Sequence, residues 1–371
     1  MQKMRQTISI MKNPFVFISF FTIVAVCATA APKVTKQTIL YKSVDQYGDT
    51  LTLSGKLTIP SSSTAKGIIL MPHYTIGANR EAPSLGTAYG EKFFYNDYIL
   101  IQPDYIGYGI TADRFPPYLH GELTARNCVD MALTVRHILD TTQVDIESDS
   151  ITIIGFSQGA ATALWTLKLL EDEYADIIPV KACYAGSGPY DVATTFDIAV
   201  EQNRVGLPMT IPLLIIGTNT AYNLNFQYEN FFFPKKEKVF QRYIKSKRYS
   251  VFGITLHMSN QRVDYWLKNT GTDKSQSETQ RLYNGFLKSS LVHYPIDNHP
   301  IGQDSICPLW RPKAQTYIFH STTDNVVYFT NAAHLQRCWG DIPNVTYDFD
   351  DYGNHLQSLY TFYKKIVPTH Q

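Results

Sequence analysis

The clearest indication of the fold is in residues 151–159, which read Ile151-Thr152-Ile153-Ile154-Gly155-Phe156-Ser157-Gln158-Gly159. The first four residues predict a buried strand, and residues 160–170 have the spacing of a helix. Between them stands G-x-S-x-G, a pattern found where a sharp strand-to-helix turn exposes a serine. Gly155 and Gly159 suit that turn because a Cβ at either position would collide with neighbouring backbone. A chance match in a glycine-containing turn is the alternative, and the flanking strand and helix argue against it.

Strands and helices alternate outward from this stretch in both directions. Continuous apolar runs predict strands covered on both faces at residues 67–71 and 98–102, and further strands are predicted at residues 180–184, 315–320 and 345–349. Helical spacing marks residues 122–139, 331–338 and 355–366. This alternation implies βαβ crossovers, and therefore an α/β fold with a mainly parallel, doubly wound sheet.

Two parts of the chain depart from that rhythm. Residues 38–44 and 50–59 alternate apolar with polar side chains around a turn, which predicts an N-terminal antiparallel hairpin of edge strands. Regularity is lost again over residues 191–310, where the aromatic content is too high for a disordered linker. We expect this second part to be a mostly helical cap, or lid, inserted into a core domain of residues 31–190 and 311–371.

A serine hydroxyl needs a base to take its proton, and the base needs a third group to hold its tautomer. Asp324 follows the predicted strand 315–320, at the edge of the sheet where such sites form. His355 lies in the loop after the next strand, so the order serine, aspartate, histidine is met. The sequence therefore predicts Ser157 as nucleophile, His355 as base and Asp324 as the orienting acid.

Other titratable residues compete less well for these roles. Asp348, Asp350 and Asp351 are so near His355 in the chain that a structural or solvated role fits them better. The remaining histidines show no paired spacing such as H-E-x-x-H, so we predict no metal site. The oxyanion donors are predicted to be the backbone amides of Gln158 and Thr75, with Tyr74 as the reserve for Thr75.

The N-terminus has the pattern of a secretory signal peptide. Three basic residues precede an apolar run from Phe15 to Cys27, and Ala28-Thr29-Ala30 has the form of a cleavage site, so residues 1–30 are expected to be removed. The chain would then be periplasmic or secreted, with lipid anchoring through Cys27 as the alternative. Of the remaining cysteines, Cys307 and Cys338 flank one predicted strand and could form a disulfide.

Composition narrows the partners. Lys+Arg 33 against Asp+Glu 32 leaves a net charge of +1, so no overall field would gather nucleic acid or anionic lipid. The apolar run near the N-terminus is too short to span a bilayer, and no later stretch approaches that length. A neutral or mixed substrate fits this composition better. With a serine nucleophile we expect a small-molecule, lipid or glycan ester, and the oligomeric state is left open.

In these motifs the chain resembles the α/β-hydrolase superfamily, and within it the secretory lipase and esterase branch. Besides the G-x-S-x-G turn, the resemblance is carried by residues 54–60, 103–109 and 117–119. It implies hydrolysis of carboxylic esters through an acyl-enzyme, without a metal or organic cofactor. Two positions depart from many relatives: Tyr74 replaces a glycine after the oxyanion strand, and Val327 stands where a proline often follows the acid.

Three other functions remain open at this point. A prolyl oligopeptidase-type peptidase shares the sheet and the residue order, although such enzymes usually carry a propeller. An acetyl or feruloyl esterase acting on carbohydrate would suit an exported hydrolase with an aromatic cap. A noncatalytic binding protein on the same fold is the alternative of a different class.

Overall fold

The computed structural model describes residues 34–141, 144–258, 262–293 and 306–367. The predicted signal peptide, its cleavage site and Cys27 lie outside these residues. No helix in the described ranges is long and apolar enough to cross a membrane.

Apart from Thr64–Ala65 and Asp145–Ile146, which were not predicted, the strands coincide with the predicted runs to within a few residues. In chain order they are β1 Thr35–Val44, β2 Thr50–Ile59, β3 Thr64–Ala65, β4 Ile68–Leu70, β5 Ile99–Pro103, β6 Asp145–Ile146, β7 Ile151–Phe156, β8 Val180–Gly186, β9 Gln315–Ser321 and β10 Val345–Asp350. The two-residue strands β3 and β6 pair only with each other, in a small parallel sheet of their own.

The other eight strands form one sheet in the order β1-β2-β5-β4-β7-β8-β9-β10. The β1–β2 and β2–β5 pairs are antiparallel, and every later pair is parallel, as predicted. The prediction that both hairpin strands lie at the edge is wrong for β2. Gly55 to Thr58 of β2 pair with Leu100 to Pro103 of β5, which leaves only β1 at that edge.

The helices lie between and after these strands. In chain order they are α1 Gly121–Thr141, α2 Gln158–Glu173, α3 Val192–Glu201, α4 Thr210–Tyr222, α5 Lys236–Ser246, α6 Val251–Met258, α7 Ser277–Ser289, α8 Thr330–Trp339 and α9 His355–Ile366.

Apolar cores cover both faces of the sheet. Ile153 of β7 packs in one core with Leu164 of α2 and Val129 of α1. The next residue, Ile154, packs in another core with Phe362 of α9, because successive side chains of a strand point to opposite faces. A continuous apolar run was therefore the correct signal for β7.

The long excursion between β8 and β9 contains α3 to α7 in its described part and has an apolar core of its own, which includes Phe196, Trp266 and Phe286. Cys307, near the end of this excursion, forms a disulfide with Cys338 of α8, which ties the approach to β9 onto that helix. Cys128 and Cys183 are buried free thiols.

Candidate active site

Ser157 stands at the tip of the turn between β7 and α2. Its backbone has φ 57° and ψ −126°, a left-handed conformation that costs free energy for a residue with a Cβ. The turn is held by a hydrogen bond of 2.8 Å from the Ser157 amide to the carbonyl oxygen of Gly186, at the end of β8. Neighbouring parallel strands thus keep the serine in its strained position.

Two glycines make room for this turn. A Cβ added to Gly155 would collide with the carbonyl oxygen of Gly159, and one added to Gly159 would collide with the carbonyl oxygen of Pro72. The second contact shows that the start of α2 lies directly against the loop that follows β4. That loop carries Tyr74 and Thr75, so the predicted oxyanion donors lie beside the turn of Ser157.

His355 is placed by the start of α9. The Asn354 side chain accepts hydrogen bonds from the amides of Leu356 and Gln357, each at 3.1 Å, and the Gln357 side chain accepts one from the Asn354 amide. This capping box fixes where the helix begins. The imidazole Nε2 of His355 lies 2.9 Å from the hydroxyl oxygen of Ser157.

Asp324 completes a hydrogen-bonded chain. Its Oδ2 lies 2.6 Å from Nδ1 of His355, and its Oδ1 accepts hydrogen bonds from the amides of Val326 and Val327, each at 2.9 Å. Burial alone would raise the pKa of the Asp324 carboxyl. Several interactions outweigh burial and hold that pKa below its usual value. They are the charge and hydrogen bond of His355, the charge of His320 and the hydrogen bond from the Val326 amide.

His320 lies behind Asp324, with Nε2 at 4.0 Å from Oδ2 of the carboxylate and 2.8 Å from the carbonyl oxygen of Val327. Burial lowers the pKa of His320 in spite of the neighbouring carboxylate.

The competing carboxylates bind other groups. Asp348 accepts hydrogen bonds from Tyr317 and Tyr352 and pairs with Lys365. Asp351 accepts a hydrogen bond of 2.6 Å from the Thr323 hydroxyl. Asp350 accepts one of 2.8 Å from the Asp351 amide. No metal-binding cluster of three or more His, Cys, Asp or Glu side chains occurs within the described ranges.

Comparison with known proteins identifies the family. The model of the secretory lipase family matches residues 92–363, nearly three quarters of the chain. The chain belongs to the secretory lipase family. It is therefore a carboxylic ester hydrolase, and membership implies export. A sequence search among curated proteins finds no significant match to this family member.

Solved structures similar to this secretory lipase family member are α/β-hydrolases. The rice cell wall degrading esterase LipA of Xanthomonas oryzae is 18% identical, with a TM-score of 0.73 over 91% of this chain and 90% of that one. Candida antarctica lipase A in its closed state is 14% identical, with a TM-score of 0.63 over 90% and 81%. At these identities the likeness supports the fold.

A cavity of about 360 Å³ opens above Ser157 and His355 in this family member. Tyr74 and Thr75 line it, whereas Gln158 contributes to the site only through its position in the chain beside Ser157. The lining is mostly apolar, and it includes residues of the excursion: Thr195, Leu207, Thr210, Ile211, Leu214, Val251 and Phe252.

Tyr118 and Glu81 are among the polar residues of the cavity that the sequence did not predict as part of the site. The Tyr118 hydroxyl lies 2.7 Å from the Thr75 hydroxyl, and burial raises the pKa of Tyr118 to about 12, so it stays protonated at neutral pH. Tyr118 lies in residues 117–119, which carry the family resemblance but predict no role for this side chain. Glu81 also lines the cavity, and a single carboxylate in a loop gives no sequence signal.

A second buried cluster joins the ends of the excursion to α8. Asp191 caps α3, and its two oxygens lie 2.9 Å from Nδ1 of His293 and 2.7 Å from Nδ1 of His334. Burial would raise the pKa of Asp191, but the two histidines and the amide of Thr194 hold it below its usual value. The spacing of these histidines predicts no role for them, and their distance from Asp191 along the chain hides the contact.

Proposed function

We propose that this chain is an exported serine esterase that cleaves carboxylic esters through an acyl-enzyme, with Ser157, His355 and Asp324 as its triad. The observation that carries the proposal is the unbroken hydrogen-bonded chain from Asp324 through His355 to Ser157. Export is proposed to follow removal of residues 1–30, which places the mature protein in the periplasm or outside the cell.

The chemistry follows from this arrangement. With Nδ1–H donated to Asp324, Nε2 of His355 is free to take the Ser157 proton as Oγ attacks the ester carbonyl. The proton then passes to the leaving alcohol oxygen as the acyl C–O bond breaks. Water, deprotonated by the same imidazole, releases the acid and restores the serine.

Backbone amides are proposed to hold the negative charge that develops on the carbonyl oxygen. The Thr75 amide donates to no other group in the described part of the chain, and Thr75 lines the cavity beside Ser157. The Gln158 amide lies in the first turn of α2, where amides lack partners within the helix. We therefore assign Thr75 and Gln158 as donors, with Tyr74 as the alternative to Thr75.

We further propose that residues 191–310 form the lid of this site on the core domain of residues 31–190 and 311–371. Support comes from the apolar residues that the excursion contributes to the cavity lining. An apolar roof of this kind suits an acyl chain.

The nucleophile is tested with the Ser157→Ala variant and p-nitrophenyl butyrate. We expect kcat/KM to fall by at least about 10³-fold, because the remaining groups cannot form an acyl-enzyme. The matched control is Ser62→Ala, at an exposed position. A fluorophosphonate probe should label the native protein and Ser62→Ala but not Ser157→Ala.

The other possible results of these assays favour one of the alternative functions. Activity retained by Ser157→Ala would remove Ser157 as nucleophile, and an unlabelled, inactive native protein would favour a binding protein. Parallel assays with a dipeptidyl amide and a feruloyl sugar ester separate a peptidase and a carbohydrate esterase from a simple esterase.

A further inference from the structure

The cavity contains one carboxylate that the proposed mechanism does not use. Glu81 is the only Asp, Glu, Lys or Arg among the described residues that line it. It ends a short 3₁₀ helix, Asn79–Glu81, in the loop that also carries Thr75. Its position therefore brings a negative charge to a mostly apolar space beside Ser157.

Only half of this carboxylate is used by the protein. Oε2 of Glu81 accepts hydrogen bonds of 3.0 Å from the Gly77 amide and 2.9 Å from the Ala78 amide. Oε1 makes no hydrogen bond within the described ranges, and no lysine or arginine of those ranges pairs with Glu81. One oxygen thus anchors the side chain, and the other is left for a group that enters the cavity.

Three tyrosines, Tyr74, Tyr89 and Tyr360, line the same cavity as Glu81 and contact one another. Tyr89 and Tyr360 pack edge to face with ring centroids 5.0 Å apart, and the Tyr89 amide donates to the Tyr74 hydroxyl at 3.4 Å. Burial raises the pKa of Tyr74, and the charges of Glu81 and Tyr360 raise it further. We call Tyr74, Glu81, Tyr89 and Tyr360 the tyrosine–glutamate cluster.

A ligand that fills the cavity must displace the water around Glu81. An uncharged ester would leave the carboxylate desolvated without a partner, which costs free energy. A substrate cation would pair with the carboxylate, and aromatic rings also attract a cation, quaternary ammonium in particular. The cluster is therefore complementary to a positive charge and unfavourable for a negative one.

We propose that Glu81 is a specificity determinant that makes this esterase prefer esters carrying an ammonium group close to the scissile carbonyl. The proposal rests on the esterase function proposed above. The reaction is the same hydrolysis, in which water adds across the acyl C–O bond, so the ammonium group changes binding and not the chemistry.

The test compares charged with uncharged substrates of equal shape. Butyrylcholine, which carries its charge in the alcohol part, is paired with the uncharged 3,3-dimethylbutyl butyrate. The p-nitrophenyl esters of 4-(trimethylammonio)butyrate and 5,5-dimethylhexanoate place the charge in the acyl chain. We expect kcat/KM to be about tenfold higher for the charged member of at least one pair. Added salt should reduce this ratio.

The Glu81→Gln variant removes the charge and keeps an oxygen that can accept from both loop amides. We expect its ratio of charged to uncharged kcat/KM to fall to about one. Glu173→Gln, at an exposed position at the end of α2, is the matched control and should keep the native ratio. As an independent measurement, choline should inhibit native hydrolysis of p-nitrophenyl butyrate competitively and inhibit Glu81→Gln less.

The two proposals fail in different ways. A native enzyme that hydrolyses the uncharged esters through Ser157 but shows no charge preference in either pair would overturn the role of Glu81 alone. An equal preference in native protein and Glu81→Gln would do the same. A native protein that shows no Ser157-dependent hydrolysis of any of these esters would instead overturn the esterase proposal.

Discussion

Nδ1 of His355 lies 2.6 Å from Oδ2 of Asp324, and both side chains are buried. A carboxylate accepts hydrogen bonds and does not donate them, so this contact places the imidazole proton on Nδ1. The opposite nitrogen, Nε2, is thereby left as an acceptor that faces the Ser157 hydroxyl.

The Asp324→Asn variant should favour the His355 tautomer that has its proton on Nε2 instead of Nδ1. An amide can donate to Nδ1 and so stabilise the wrong tautomer, and we expect kcat/KM for p-nitrophenyl butyrate to fall by about 10³- to 10⁴-fold. Asp351→Asn, which changes a carboxylate of the neighbouring loop, is the control. An Asp324→Asn enzyme within tenfold of native activity would show that another group orients the base.

Gly159→Ala should damage the site through the backbone. Its Cβ would collide with the Pro72 carbonyl oxygen, so either α2 or the loop that carries Thr75 must move. Displacing a donor of the proposed oxyanion hole should lower kcat by about 10²-fold, and this is the loss we expect. The melting temperature is measured on the same variant. Gly253→Ala, where the nearest atom to the new Cβ is 3.3 Å away, tests whether any added methyl group has this effect.

Lys247 predicts a pH dependence of stability. It is buried, its Nζ lies 4.5 Å from the ring centroid of Tyr108, and burial lowers its pKa to about 7. The unfolded chain holds that proton up to about pH 10.4, so folding releases it between these values and the free energy of unfolding rises with pH there. The contribution of this group from pH 7 to 9 is at most about 2.7 kcal/mol.

The measurement is urea unfolding at several pH values. Lys247→Met should lose the part of the rise above pH 7 that native protein shows, whereas Lys245→Met, exposed on α5, should keep it. Parallel curves for native protein and Lys247→Met would mean that Lys247 stays protonated in the fold.

The disulfide predicts a redox dependence of stability. Cys307 and Cys338 close a loop with a sequence separation of 31, for which the chain-entropy model gives a contribution of about 3 to 4 kcal/mol. Replacing both cysteines by serine should lower the free energy of unfolding by that order. Reducing agent should destabilise the native protein and leave the double variant unchanged; an effect of reductant on the variant would point to the buried thiols.

Much of the fold could be predicted because local patterns determine it. Ile153 and Ile154 pack in two different cores on opposite faces of the sheet, so apolar residues stand at successive positions of the strand. The order along the chain of Ser157, Asp324 and His355 also follows from strands that end at one edge of a parallel sheet. The proposed nucleophile, acid and base were therefore accessible from the sequence.

What the sequence did not reveal depends on contacts between distant segments. The alternation of β2 predicts one solvated face, but it does not tell which strand will pair with its free edge, and β5 does so. Glu81 has no sequence neighbour that indicates a site, and Asp191 meets His293 and His334 only after the excursion has folded back. Such residues give no periodic signal.

The excursion leaves from the end of β8 and returns to β9, its parallel neighbour in the sheet. Parallel neighbours cannot be joined by a tight hairpin, since the chain must travel back along the full length of the strands. The segment above Ser157 is thus also the required return path. Evolution can lengthen it or exchange its helices to suit new substrates, but deleting it outright would break the order of the sheet.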